Sequence, residues 1–134
     1  MMHKVFPDKE KVKSIFKMIS EREEFVSSME IKKFSTIIAE NYYEIIKELA
    51  TAILLLDGIK FLGENAHKET IDSLSKYGFS EYELSVLHDL RIQRNKSSYE
   101  GKPISSSYIT NKKAIFLKII DKLKNKIRER LGGV

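Results

Sequence analysis

With 134 residues, 42% of them hydrophobic and 32% charged, and only 6 Gly and 2 Pro, the chain is too apolar to stay disordered and too poor in turn formers for a many-stranded β fold. The absence of Cys removes disulfides, thiolate nucleophiles and cysteine metal sites together. The net charge of +5 is uneven: residues 111–134 carry eight Lys and Arg against Asp121 and Glu129, so the remainder is close to neutral. A basic terminal helix attracts phosphate backbones, but lysines on a solvated face also serve solubility, and this stretch has no interleaved aromatic residues. A chain of about 100 to 150 residues builds one core, so residues 1–134 are expected to form one domain. The longest apolar run, residues 49–56, contains Thr51 and falls short of the roughly 18 to 20 residues of a membrane span; with no signal peptide at its start, the chain is expected to be cytoplasmic.

Pro7 and Asp8 precede Val12, Ile15, Phe16, Ile19 and Phe25 or Val26 at helical spacing, which predicts a first helix over residues 8–28. A second opens at or just before Ser35, with Ile38, Tyr42, Ile45, Ile46, Leu49, Ile53 and Leu56 as its stripe. Residues 50–56 are almost all apolar, so this helix is expected to be buried on more than one side. Tyr42 and Tyr43 are adjacent, and the pattern sends one to the core and leaves the other free. Asn65 is placed as the cap of a short helix over residues 66–76, closed by Gly78. Ser80-Glu81-Tyr82-Glu83 has the form of a capping box and starts a helix carrying Leu84, Leu87 and Leu90, which runs to about Ser97 or Tyr99 before Gly101 and Pro103. Ser105, Ser106 and Ser107 are read as a loop, followed by a last helix over residues 111–130 with Phe116, Ile119, Ile120, Leu123, Ile127 and Leu131 as its stripe. Four long helices and one short one predict an all-α, up-and-down bundle.

The densest polar cluster is His88, Asp89, Arg91, Arg94, Asn95 and Tyr99. At 100° per residue, His88, Arg91, Asn95 and Tyr99 fall within about 80° of one another, while Arg94 turns toward the Leu87 side. Any amphipathic helix has a polar stripe, but this one runs to a helix end, where side chains and freed backbone groups surround clefts. Arg is also the side chain best shaped to grip phosphate with two hydrogen bonds.

Leu90-Arg91-Ile92-Gln93-Arg94-Asn95-Lys96-Ser97-Ser98-Tyr99-Glu100-Gly101 resembles the hallmark of the HEPN (higher eukaryotes and prokaryotes nucleotide-binding) superfamily, in which Arg and a polar residue are followed after four to six residues by His. Leu54-Leu55-Leu56-Asp57-Gly58-Ile59-Lys60 and His67-Lys68-Glu69-Thr70-Ile71 are also similar to members that pair with minimal nucleotidyltransferases. The resemblance covers about residues 36–130 and implies a helical bundle. In the ribonuclease members an Arg and a His are thought to cut RNA without metal; the resemblance aligns that Arg with Arg94 and puts Tyr99 where the His would stand. Imidazole exchanges protons near neutrality, whereas a phenol near pKa 10 needs strong activation to act as a base. In the nucleotidyltransferase-associated branch, tyrosine in this slot resembles a hydroxyl that a partner modifies or a group that binds nucleotide.

These residues support three readings. The first is a binding module for nucleotide or RNA that works beside a minimal nucleotidyltransferase as a toxin–antitoxin pair, with Arg94, Asn95 and Tyr99 at the centre and His88, Arg91 and Lys96 flanking. The second is a metal-independent endoribonuclease whose Arg94 sites meet across a dimer, with His88 as an alternative proton acceptor. The third is a noncatalytic helical interaction protein. A homodimer is expected on all three, because residues 50–56 and one free tyrosine offer apolar surface. No cofactor or metal is expected: the three His lack metal-ligand spacing, His3 is expected to be disordered, His67 to cap or face solvent, and no phosphate loop, dinucleotide turn or nucleophile elbow is present.

Overall fold

The computed structural model describes residues 1–132, which form an all-α bundle with one small antiparallel sheet. In chain order these are β1 (Met2–Lys4), α1 (Lys9–Ser27), α2 (Ile31–Leu56), β2 (Ile59–Phe61), α3 (Ala66–Ser73), a 3-10 turn (Leu74–Tyr77), α4 (Glu81–Glu100) and α5 (Ser106–Arg130). No helix among the described residues is long and apolar enough to cross a membrane.

The helix starts follow from side chains that take up free amides. The Asp8 carboxylate accepts from Lys11 N–H, and Ser80 and Glu83 complete the reciprocal capping box at α4. Ser105 accepts from Tyr108 N–H, so α5 begins at Ser106 rather than at 111; the serine run is the cap and first turn of the helix, not a loop. Helix α2 begins at Ile31, ahead of Ser35, and bends at Phe34, whose φ of −124° and ψ of 28° are not helical. Beyond the bend, the Ser35 hydroxyl donates to the Ile104 carbonyl at 2.6 Å and Thr36 Oγ1 accepts from Ile104 N–H at 2.9 Å. The segment expected as one short helix is α up to Ser73 and then tightens to 3-10, ending at Gly78 with φ +82°. Asn65 stands at the cap position of α3, but its side chain makes no capping bond.

Helix α2 is the centre of the molecule. Its neighbours α1 and α4 run against it, as shown by Arg22 beside Glu48 and Asn41 and by Ser97 donating to Glu40. Helix α5 runs parallel to it, from Ile104 beside Thr36 to Arg130 beside Leu56. A helix enclosed on several sides buries more than one stripe, and both Tyr42 and Tyr43 are buried, at 5% and 2% exposure. Tyr42 faces α5, with its ring 5.5 Å from that of Phe116, and Tyr43 faces α3 and α4. The expectation that one of the pair stays free is therefore corrected. Within residues 50–56, Ala50, Ala52, Ile53, Leu54 and Leu56 are likewise buried, Leu55 is half-buried and Thr51 alone is exposed, so neither feature supplies an apolar surface for a dimer.

His3, expected to be disordered, lies in β1 opposite Lys60 of β2. Val5 continues that contact by donating to the Gly58 carbonyl at 2.8 Å. Gly58 has φ +70°, and a Cβ there would come within 2.7 Å of the Val5 carbonyl oxygen. Gly58→Ala is expected to cost about 2 kcal/mol and to loosen β1. Gly101→Ala, at φ +66° but with nothing within 4 Å, isolates the conformational part of that cost. Melting curves and amide exchange at Val5 for both variants check this, and equal losses would show that the close approach to Val5 is unimportant.

Candidate functional site

Helix α4 and the start of α3 face each other across a cleft of about 320 Å3 lined by residues 63–68 together with Arg91, Asn95 and Tyr99. The i, i+4, i+8 spacing of Arg91, Asn95 and Tyr99 places them in a row along one side of α4. The α3 side contributes His67 and Lys68 from its first turn. This size lies at the low end of small-ligand pockets, which run roughly from 300 to 1,000 Å3.

Arg94 lies behind that row and toward α2. Its guanidinium is 3.6 Å from the Glu44 carboxylate, donates to Asn95 at 3.4 Å, and sits 5.4 Å from the Tyr43 ring centre and 6.0 Å from that of Tyr99. The side chain is mostly covered and is held between two aromatic faces. Tyr99 is 76% exposed, so its ring is open to a ligand on the side away from Arg94. Glu44 is also bound by Lys47 at 3.0 Å, which leaves it largely neutralised. Arg91 and Lys68 make no ion pair among the described residues.

The other two candidates lie elsewhere. His88 Nε2 is 2.6 Å from Asp72 Oδ1 and fastens α4 to α3 outside the cleft lining, while its Nδ1 is buried without a partner. Lys96 is exposed and outside the lining; its carbonyl accepts from Gly101 and Lys102 at the end of α4. The structure thus joins Arg91, Asn95 and Tyr99, sets Arg94 against their rear, and separates His88 and Lys96 from them.

His67, read from the sequence as a cap or a solvent-facing group, is an exposed wall of this cleft, its ring 6.2 Å from that of Tyr43. Desolvation, aided by Lys47 and Arg94, holds its pKa below the usual imidazole value, so the ring is neutral at pH 7. Burial raises the Tyr43 hydroxyl to about 12 against the pull of Arg94 and Arg91, so it stays protonated. Neighbours from α2 and α3 carry no sequence spacing that ties them to α4. The one legible signal was a lysine, Lys68, in the first turn of a helix, where acidic residues are favoured.

Among the described residues no three His, Asp or Glu side chains are grouped as a metal site requires. A larger groove of about 480 Å3 between α1, α2 and α5 is mainly apolar, and of its rim charges Glu23 is already held by Lys124 at 2.8 Å. The chemistry is therefore concentrated at the α3–α4 cleft. No protein-family model, curated protein or solved structure matches this chain.

Proposed function

We propose that this chain is a HEPN-type helical module that binds a nucleotide or RNA and acts beside a minimal nucleotidyltransferase. The observation that carries the reading is the convergence of Arg91, Asn95 and Tyr99 with His67 and Lys68 on one cleft. Two unpaired cations supply phosphate binding, an amide supplies directed hydrogen bonds, and an exposed ring supplies a stacking face. Arg94 acts as a positioning residue that backs the Tyr99 ring. The exposure of Tyr99 also leaves its hydroxyl within reach of a partner enzyme, in keeping with the residue that resembles a modification target in the nucleotidyltransferase-associated branch.

Binding of AMP, ATP and a short oligoribonucleotide in excess chelator, measured by calorimetry or fluorescence anisotropy, tests this. Arg91→Ala is expected to weaken binding about tenfold or more, the loss that one or two charge-assisted hydrogen bonds give, with an unchanged melt. No binding by the parent chain would sink the reading. Total RNA is expected to stay intact in the same buffer. Cleavage lost in an Arg94 variant would instead favour the metal-independent ribonuclease, whose dimer would have to bring Arg94 out from between its two rings.

A further inference from the structure

The α3 wall of the cleft begins with unmet hydrogen-bond donors. Ala66 N–H donates to the Gly63 carbonyl and Glu69 N–H to that of Asn65, but the amides of His67 and Lys68 reach no carbonyl among the described residues. The Asn65 side chain does not cap them. Gly63, at φ +98°, leaves open space where a side chain would stand, so the approach to these amides is clear.

Charge is arranged the same way. The positive end of a helix dipole favours acidic residues, yet the first turn of α3 carries the cation of Lys68, and its one acid, Glu69, is bound to the amino group of Met1 at 2.6 Å. Arg91 on α4 adds to this: its Nε is buried without a partner, and its side chain lines the cleft. A bound anion would answer the free amides and the unpaired Lys68 and Arg91 cations together.

We infer that this wall is a subsite for a terminal phosphate, a phosphomonoester carried either by a mononucleotide or by the end of an RNA strand. The inference rests on the nucleotide-binding reading above and narrows it. The His67 and Lys68 amides, the Lys68 ammonium, the Arg91 guanidinium and the Asn95 amide are more donors than the two free oxygens and single charge of an internal phosphodiester can use. A monoester presents three terminal oxygens and a charge of about −1.5 to −2 near neutrality. The volume holds one nucleotide, with Tyr99 placed for its base.

The test titrates the full chain, in chelator, with AMP against adenosine, and with one short oligoribonucleotide bearing a 5′-phosphate, a 3′-phosphate or hydroxyl ends. Anisotropy reports affinity and amide NMR shifts report the site. The paired comparison cancels attraction to the basic α5, which each form of the oligonucleotide feels almost equally. We expect the phosphate-ended form to bind at least about tenfold tighter, with the largest shifts at the His67 and Lys68 amides. Lys68→Ala is expected to shrink that preference without loss of fold. Preference for AMP over adenosine alone identifies the free mononucleotide as the source, and preference among the RNA ends identifies the strand terminus. Equal binding with and without terminal phosphate, for both ligand types, overturns this inference and leaves the nucleotide-binding module standing. Binding of none of them overturns both.

Discussion

Phe116→Ala is expected to destabilise the protein by about 3–5 kcal/mol, a large part of the roughly 5–15 kcal/mol that holds a domain of this size folded. Phe116 is fully buried, and its ring lies 5.5 Å from that of Tyr42 on α2 and 6.2 Å from that of Tyr108 on α5. Truncation removes the ring that fills the seam between the central helix and its parallel neighbour. Backbone hydrogen bonds of two long helices keep the walls from collapsing onto the space. Urea unfolding should show the midpoint falling with the denaturant slope unchanged. Leu117→Ala, one residue along but 41% exposed, serves as the control and should cost far less. A loss below about 1 kcal/mol at Phe116 would mean that the α2–α5 seam is not the main source of stability.

Alkaline pH is expected to unfold the protein sharply once it passes the ordinary tyrosine range. Burial raises the pKa of Tyr42, Tyr43, Tyr77 and Tyr108; hydrogen bonds to Asp57 and Asp89 add to the shift at Tyr77 and Tyr108. The sign follows from proton counting. A tyrosine whose folded pKa lies above its unfolded value of 10 stabilises the fold fully below pH 10, and that stability drains away as pH rises through the folded value. For Tyr43 the window runs from 10 to about 12, and each such group removes about 1.4 kcal/mol per pH unit within its window. Tyrosinate absorbance and helical circular dichroism should therefore change together. If the absorbance of all six tyrosines titrated near pH 10 while the helices remained, the idea would be wrong. Tyr43→Phe should extend the alkaline limit, since it removes a buried hydroxyl that has no partner.

The helices were legible because their information is local. Ser80 and Glu83 announce the start of α4 by a side-chain exchange within one turn, and the apolar spacing along α2 and α5 declares which faces are inward. What the spacing could not declare is how many neighbours a helix has, and for that reason one of Tyr42 and Tyr43 was read as spare. The sheet was hidden for a different reason: three residues on each side, paired across more than fifty positions, make no alternating pattern. At the site, the row of Arg91, Asn95 and Tyr99 could be drawn from one helix. Its opposite wall could not, because His67 and Lys68 come from a separate short helix whose approach is decided by tertiary packing. His88 shares the side of Arg91 in projection, yet Asp72 takes it as a tie between helices.

The parallel pairing of α2 with α5 has a consequence for synthesis. The C-terminal end of α2 meets its partner only at Arg130, whose guanidinium reaches the Leu56 carbonyl across 74 positions. At the usual elongation rate of about 5–20 residues per second, the apolar faces of α2 wait roughly 4–15 s before α5 emerges to cover them. During that interval the most hydrophobic helix of the chain is covered by α1 and then by α3 and α4, and the face that α5 will cover stays exposed. Slow codons between α2 and α5 would lengthen that exposure and lower the yield of native protein without changing a single residue.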